Sequence, residues 1–195
     1  WAGIGDTYAK NYEAEISSRG EKLPHYTEVG VGFSKMCLTP MLEYGRQALE
    51  DNKKGVATEA LEQVVLAIVV TTAIVSIFLT RDFTPDYNSG LAHACFYALT
   101  AYPVIEKEHL HGEVVGFGVL YALLVDGQQE EFEKIYALNK ELGLPVRIAD
   151  IGITEEQFFE TMDRIPQMSD IRHYPYAVTK EMLMQAYETI EQLPV

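Results

Sequence analysis

Apolar side chains recur at steps of three and four residues along most of the chain, which is the spacing of α-helices that bury one face. In the segment that ends near Val125, the residues Val114, Phe117, Leu120 and Leu124 follow this spacing. No stretch alternates between apolar and polar residues for long enough to predict a β-strand. The pattern therefore predicts an all-α protein, a bundle of helices.

Caps and turn residues divide this pattern into separate helices. Thr154 and Gln157 form a capping box that predicts a helix start, and Gly143 followed by Pro145 predicts a helix end. Helices are predicted over residues 6–20, 29–51, 58–80, 89–102, 111–125 and 128–143, and from residues 154 and 179 onward. Pro40 either kinks the second helix or starts a new one, and residues 81–90 are predicted to form a loop.

The stretch from Val64 to Thr80 carries no charged residue. Its length falls at or just below the roughly 18 to 20 apolar residues that are needed to cross a membrane. Glu59 and Glu62 precede it, and no basic cluster marks a cytoplasmic end. Because the central helix of a helical domain can be apolar on all sides, we predict a buried central helix rather than a transmembrane span.

With 195 residues the chain is long enough to bury a core, and a single domain over residues 1–195 is predicted. The net charge of −14 argues against binding to nucleic acid or to an anionic membrane surface. Cys37 and Cys95 lie in apolar contexts without CxxC spacing, which predicts buried free thiols in a reducing cytoplasm. The chain begins at Trp1, inside a motif and without a visible signal peptide, so we expect a fragment of a longer protein.

Two histidines on either side of a proline break are candidate metal ligands. His93 lies on an apolar helix and His111 opens the next one. A single histidine in such a place is more commonly a core residue whose ring nitrogens are hydrogen-bonded. Two neutral imidazoles brought together, however, often hold zinc or iron. Asp6 follows a turn predicted at Gly3 and Gly5, where its carboxylate either caps a helix or serves as a third ligand. Spacing alone does not join Asp6 to the histidines.

A family resemblance does join them. Three segments, AGIGDTYAKNYEA, HACFYALTAYP and HGEVVGFGVL, resemble in this order the metal-binding motifs of the iron-containing alcohol dehydrogenase family, most closely its glycerol dehydrogenase branch. The resemblance implies the helical C-terminal domain of the dehydroquinate synthase-like fold, with Asp6, His93 and His111 as metal ligands. It also implies that NAD or NADP is held by an N-terminal α/β domain outside this sequence.

The chain departs from the family pattern at three positions. Lys10 stands where members with a four-ligand iron site have a histidine, which favours a three-ligand site for zinc, with iron as the alternative. Phe96 replaces a second histidine that glycerol dehydrogenases often carry, and Val114 replaces the lysine of their HGEK motif. The substrate is therefore open between glycerol or another diol, a 2-hydroxy acid and a phosphorylated polyol.

The resemblance implies a dehydrogenase that oxidises a small alcohol or polyol. A divalent metal would lower the pKa of the substrate hydroxyl, and hydride would pass to the nicotinamide. No catalytic residue is predicted beyond the metal ligands, and a cytoplasmic homo-oligomer is expected. We expect the fragment alone to bind NAD poorly and to be inactive.

Two other classes remain as alternatives. Glu108 and His111 have the ExxH spacing of di-iron helical bundles, although only one such step is present. A helical module without catalysis, either structural or for metal storage, is the second alternative. Close to these residues, Glu113 either orients His111 or fills the first turn of the helix, and His109 is expected to face solvent.

Overall fold

The computed structural model describes residues 1–81, 84–85 and 87–194. The α-helices are α1 (Ala2–Ser18), α2 (His25–Lys54), α3 (Glu59–Leu66), α4 (Thr72–Leu79), α5 (Leu91–Leu99), α6 (Pro103–Glu108), α7 (His111–Val125), α8 (Gln129–Leu142), α9 (Glu155–Arg164) and α10 (Lys180–Glu191). Short 3₁₀ turns occupy Ile148–Ile151, Ile165–Gln167 and Ser169–Ile171, and a π-helical turn, Ala67–Thr71, joins α3 to α4. The predicted all-α class is confirmed.

The central helix of the fold is α7. Every residue from Gly112 to Leu123 is buried, and α1, α5, α8 and α10 pack around the helix. Glycines on α7 allow this close packing. A β-carbon on Gly118 would lie 2.6 Å from the carbonyl oxygen of Ala92, so α5 can cross α7 only where the side chain is a hydrogen atom. The crossing of α1 and α7 likewise uses Gly5 and Gly112.

The first helix begins earlier than predicted. Trp1 is the N-cap of α1, and Gly3 and Gly5 lie within the helix rather than in a turn before it. Asp6 therefore sits in the second turn of α1, so of the two roles considered for its carboxylate, the helix cap is ruled out. The glycines are tolerated there because neighbouring helices pack against them: a β-carbon on Gly3 would lie 3.2 Å from the side chain of Ile68.

The second helix settles the question raised by Pro40. α2 begins at His25, directly after Pro24, and runs without a break through Pro40 to Lys54. It ends at Gly55, which adopts a left-handed conformation with φ of 67°. The predicted start at residue 29 was therefore four residues late, and the proline lies inside one continuous helix.

The apolar segment after Thr58 does not form the buried centre of the fold. The helix Glu59–Leu79 is long and apolar enough to cross a membrane by length and composition, yet only 17% of its apolar window is buried. One side packs inward through Val64, Ala67, Val75 and Leu79. The other side is open, with Val69 63% and Ile77 64% exposed. The prediction of a buried central helix is wrong, because α7 takes that place.

The predicted loop after α4 contains a small strand pair. Strands β1 (Thr80–Arg81) and β2 (Thr84–Pro85) are antiparallel, while residues 82, 83 and 86 of the predicted loop lie outside the described part of the chain. α5 begins at Leu91, with Gly90 as its N-cap, two residues later than predicted.

The remaining segments agree with the predictions apart from one short helix. α6 (Pro103–Glu108) lies between the helices predicted over residues 89–102 and 111–125, where no helix was predicted. The capping box at Thr154 is present, and the Thr179 side chain accepts a hydrogen bond from the backbone N–H of Met182 at the start of α10. The two cysteines are buried free thiols, as expected.

Candidate metal centre

Three separate helices carry the predicted ligands to one place. Asp6 lies on α1, His93 on α5, and His111 is the first residue of α7. The Nε2 atoms of His93 and His111 lie 3.5 Å and 3.9 Å from Oδ1 of Asp6, and the two imidazole ring centres are 5.3 Å apart. Tight crossing of α1 and α5 over α7 thus brings together residues that are up to 105 positions apart in the sequence.

The donor atoms suit a small metal ion. One ligand atom from each of the three residues lies within 4.8 Å of the other two. Ligands about 2.1 Å from a tetrahedral zinc ion are themselves about 3.4 Å apart, so only small adjustments would be needed. Asp6 Oδ1 is buried and has no hydrogen-bond partner, which is costly for a carboxylate oxygen unless a cation or donor satisfies it. In the described part of the chain, no other group of three such donors is this close.

The site is closed on the His93 side and open on the His111 side. The His93 side chain is 6% exposed, whereas that of His111 is 42% exposed. Burial lowers the pKa of His111 below its ordinary value, and repulsion from a protonated His93 acts in the same direction, while Asp6 opposes them. At neutral pH the imidazole of His111 is therefore uncharged and can offer a lone pair to a metal. The ring of Phe96 stands edge-on to His111, with the centres 4.3 Å apart.

A fully buried carboxylate, Glu13, completes the environment of His93. Its Oε2 atom lies 2.6 Å from His93 Nδ1, and its Oε1 atom accepts hydrogen bonds from the backbone N–H groups of Gly90 and His93. Burial acts to raise the pKa of Glu13, but the interactions with His93 and Lys10 outweigh it, and the pKa is lowered. Glu13 was not among the residues predicted to form the site. Its position seven residues after Asp6, on the same face of a helix, was the available signal.

Lys10 occupies the position between these two carboxylates on α1. It is only 7% exposed, and its ammonium group donates a hydrogen bond of 2.9 Å to the backbone carbonyl of Asn88. The side chain therefore ties α1 to the segment before α5 and brings a positive charge near Glu13. A protonated lysine offers no lone pair, so it adds a charge rather than a fourth ligand.

The remaining candidates lie apart from this centre. Glu113 pairs with His109, so its predicted role as the partner of His111 is not supported. The His109 side chain is only 14% exposed, so the prediction that it faces solvent is wrong. Glu108 ends α6, is exposed, and does not belong to the three-donor group, so the ExxH step does not assemble a metal site with His111.

The chain is similar to known proteins over nearly its whole length. No protein-family model matches it. It is 30% identical to a glycerol dehydrogenase of Pseudomonas putida, covering 98% of the chain and 53% of that protein. It is 29% identical to hydroxycarboxylate dehydrogenase A of Escherichia coli K12, covering 97% of the chain and 52% of that protein. The fold matches the crystal structure of a probable glycerol dehydrogenase from Sinorhizobium meliloti with a TM-score of 0.80 and 21% identity, over 99% of the chain and 56% of that structure. The chain thus spans about half the length of its relatives.

Proposed function

We propose that this chain, a relative of the glycerol dehydrogenases over nearly its whole length, is the metal-binding domain of an NAD(P)-dependent dehydrogenase that oxidises a secondary alcohol or polyol. The observation that carries this proposal is the convergence of Asp6, His93 and His111 around a buried carboxylate oxygen that has no partner. A structural helical module without a metal would leave that oxygen unsatisfied.

Within this proposal, each of the three residues has a distinct role. Asp6 contributes a carboxylate oxygen from the second turn of α1, and His93 contributes a ring nitrogen from the closed side of the site. His111, at the exposed side, contributes the second nitrogen next to the opening through which a substrate can approach. A divalent cation held here would polarise a substrate hydroxyl and lower its pKa.

Zinc is the metal we expect, with iron as the alternative. One carboxylate and two imidazoles with an open fourth position are a common set for catalytic zinc. An ion with more protein ligands would need a fourth ligand at the position of Lys10. The Lys10 side chain instead donates a hydrogen bond to the backbone carbonyl of Asn88. The donor set also suits ferrous iron, so the metal has to be measured.

The substrate is proposed as a small alcohol or polyol, with glycerol-like diols and 2-hydroxy acids as the leading candidates. The relatives include proteins named for both classes. The side wall of the site next to His111 is the apolar ring of Phe96, which provides no charge for a carboxylate or a phosphate. Phe96 itself cannot pair with a charged substrate, and the nicotinamide cofactor would need a binding site elsewhere in the longer protein.

We also propose that the protein is cytoplasmic and that its copies associate through the apolar outer face of α2 and the α3–α4 helix. This outer face consists of Val29, Phe33, Met36, Val65, Leu66, Val69, Val70 and Ile77, all at least 39% exposed. The two helices lie side by side, since α2 packs against both α3 and α4, and the rings of Tyr26 and Phe78 are 4.6 Å apart. Over the roughly 30 Å that they share, two helices that are each about 10 Å wide present on the order of 600 Å². A stable dimer buries about 800 Å² per partner, so this face is close to sufficient.

A membrane explains the same face less well. The inner side of the α3–α4 helix is part of the packed interior, and Thr72 approaches Thr7 of α1 to 3.5 Å. Leaving the molecule to span a bilayer would expose that interior. Glu59 and Glu62 lie at the start of the helix, where a membrane-surface helix would favour basic residues. A second copy of the chain would present the same apolar outer face, so the two faces could cover each other.

A non-catalytic or storage-type metal bundle is the alternative function. It would use the same three donors, so metal binding alone does not separate the two proposals. The di-iron version is disfavoured by the geometry, because Glu108 lies outside the donor group. Catalysis has to be tested on the longer protein.

Metal analysis tests the site. The parent chain, His93→Ala and His111→Ala would be stripped with a chelator, reloaded with Zn²⁺ or Fe²⁺, desalted and analysed for metal. About one ion per chain is expected for the parent, with most of it lost in both variants. His25→Ala, which removes an exposed histidine at the start of α2, is the matched control and should keep its metal. Equal metal content in all four proteins would refute the site.

Activity assays test the reaction. The longer protein should reduce NAD or NADP in the presence of one member of a panel of diols, polyols and 2-hydroxy acids, and this activity should be lost in Asp6→Asn. Residues 1–195 alone should bind NAD poorly and show no turnover. Measurable dehydrogenase activity from these residues alone would contradict the proposal that the nicotinamide cofactor is bound by another part of the longer protein.

A further inference from the structure

We infer that Glu13 is a positioning residue of the metal centre and that its carboxylate holds His93 in the tautomer whose Nε2 atom is free to bind the metal. The inference rests on the proposed function, because it treats His93 as a ligand. It is carried by one fully buried carboxylate that reaches both the ring and the backbone of the same histidine.

The tautomer follows from the chemistry of the two partners. A neutral imidazole carries one proton, and an ionised carboxylate can only accept a hydrogen bond. With Glu13 Oε2 2.6 Å from His93 Nδ1, the proton must therefore lie on Nδ1. The lone pair is then on Nε2, the atom that lies 3.5 Å from the unpartnered oxygen of Asp6. A carboxylate behind a metal-binding histidine commonly orients the ring and increases its basicity.

The carboxylate is itself held in place. Oε1 accepts the backbone N–H of Gly90 at 2.8 Å and of His93 at 2.9 Å, which fixes the group against the first turn of α5. With Oε1 fixed, Oε2 has little freedom except to face the ring. Asp6 and Glu13 are seven residues apart on α1 and therefore lie on the same face of that helix. One helix thus supplies both a candidate metal ligand, Asp6, and the carboxylate that orients the ring of His93.

A purely structural role is the competing explanation, since Glu13 also anchors the start of α5. The variant Glu13→Gln separates the two roles. The glutamine has the same shape, and its amide oxygen can still accept the two backbone hydrogen bonds. Its NH₂ group would then face Nδ1 and donate to it, so Nδ1 becomes the acceptor and the ring proton moves to Nε2. That proton occupies the position of the lone pair that a metal would need.

The first test measures the tautomer without any metal. The ¹⁵N chemical shifts of the His93 ring would be recorded by NMR on chelator-treated protein at about pH 8, above the ordinary pKa of histidine, and assigned by their loss in His93→Ala. We expect the Nδ1–H form in the parent and the Nε2–H form in Glu13→Gln. The matched control is Glu15→Gln, which makes the same change at an exposed position of α1 and should retain the Nδ1–H form. A parent protein in the Nε2–H form, or a variant with an unchanged tautomer, would overturn the inference.

The second test measures zinc affinity by competition with a chromophoric chelator. Glu13→Gln should weaken Zn²⁺ binding about 10- to 100-fold, whereas Glu15→Gln should change it by less than about twofold. Circular dichroism would establish that both variants are folded. Parent-like zinc affinity in a folded Glu13→Gln would show that the carboxylate only anchors α5. If the parent itself binds no zinc, the proposed function fails, while the NMR result still decides whether Glu13 sets the tautomer.

Discussion

Gly5 of α1 and Gly112 of α7 bring two helix backbones into direct contact beside the candidate metal centre. A β-carbon on Gly5 would lie 2.3 Å from the carbonyl oxygen of Gly112, and a β-carbon on Gly112 would lie 2.2 Å from the carbonyl oxygen of Ala2. Each glycine is adjacent in sequence to a candidate ligand, Asp6 in one case and His111 in the other. The crossing that compacts the core is therefore also what sets the distance between these two ligands.

We predict that Gly5→Ala separates α1 from α7 and weakens both the fold and the site. Overpacking of a core typically costs about 1–3 kcal/mol, and here the clash is with backbone, which cannot rotate away. Metal affinity should fall together with the free energy of unfolding. Gly32→Ala is the control, because its new methyl group would meet nothing within 4 Å on α2 and should stabilise by up to about 1 kcal/mol. Urea unfolding and zinc competition measure both effects; equal behaviour of the two variants would contradict the role of the crossing.

The sequence could predict much of the fold and three candidate donors that the structure brings together, but not their environment. Helical spacing and caps located most helices, because they depend on neighbouring residues. The start of α1 was misjudged because glycine usually signals a turn, whereas Gly3 and Gly5 are needed for contacts with distant helices. Burial of the α3–α4 helix was misjudged for a similar reason: composition does not reveal which apolar helix the others surround.

Glu13 shows the same limit at the level of the site. Asp6 and Glu13 can be placed on one helix face from their spacing, but the approach of α5 to that face cannot be derived from spacing. The contact with His93 joins residues 80 positions apart and depends on the packing of both helices over α7. Resemblance linked the three donors, while the partner of His93 became visible only through the structure.

The ring of Phe96 should help to hold His111, the most exposed of the candidate ligands. Edge-on aromatic contacts contribute about 0.5–1.5 kcal/mol, which corresponds to about 2- to 12-fold in affinity. Phe96→Leu should therefore weaken zinc binding by a factor in this range with little change in stability, because Phe96 is only partly buried. Tyr26→Leu, at an exposed aromatic position on α2, is the control. Zinc affinity that is unchanged by Phe96→Leu would mean that His111 is held without the ring.

The apolar outer face predicts an assembly that a charge placed on the α3–α4 side of this face should disrupt. Val69→Glu and Ile77→Glu, alone and combined, should shift the protein toward the monomer mass in analytical ultracentrifugation, because a carboxylate buried in an apolar contact without a partner is costly. Val56→Glu places the same charge on an exposed valine before α3, outside the face, and should keep the parent's mass. A parent that is monomeric at all concentrations would contradict the proposal. Binding of that monomer to lipid vesicles, lost in Val69→Glu, would instead identify a membrane as the partner.

Acid should weaken the fold through Asp126, at the C-terminal end of α7. Its carboxylate is buried and accepts two hydrogen bonds from Arg19, of 2.8 and 2.7 Å, and one from Tyr176. Burial acts to raise the pKa of Asp126, but the hydrogen bonds from Arg19, Gln128 and Tyr176 outweigh it, so the pKa in the folded protein lies below its ordinary value. A carboxyl group whose pKa is lower in the folded than in the unfolded state binds fewer protons when folded. Its stabilisation is therefore complete above the unfolded pKa of about 3.9 and is lost as the pH falls through the folded value.

Asp126→Asn should accordingly lower the free energy of unfolding by about 1.5–3 kcal/mol at neutral pH, the usual contribution of hydrogen bonds to a charged group. The difference from the parent should shrink as the pH falls below about 4, because the parent carboxylate then becomes protonated and loses the same interaction. Urea unfolding at pH values near 7, 5 and 3 measures this trend. Asp163→Asn removes a carboxylate that pairs with Lys180 on the surface, where both side chains are at least 40% exposed, and should cost less than about 1 kcal/mol. The difference in the free energy of unfolding between the parent and Asp126→Asn could instead be constant across the three pH values. That result would show that folding does not lower the pKa of this carboxylate. The interaction between α1 and the end of α7 would then depend on shape rather than on charge.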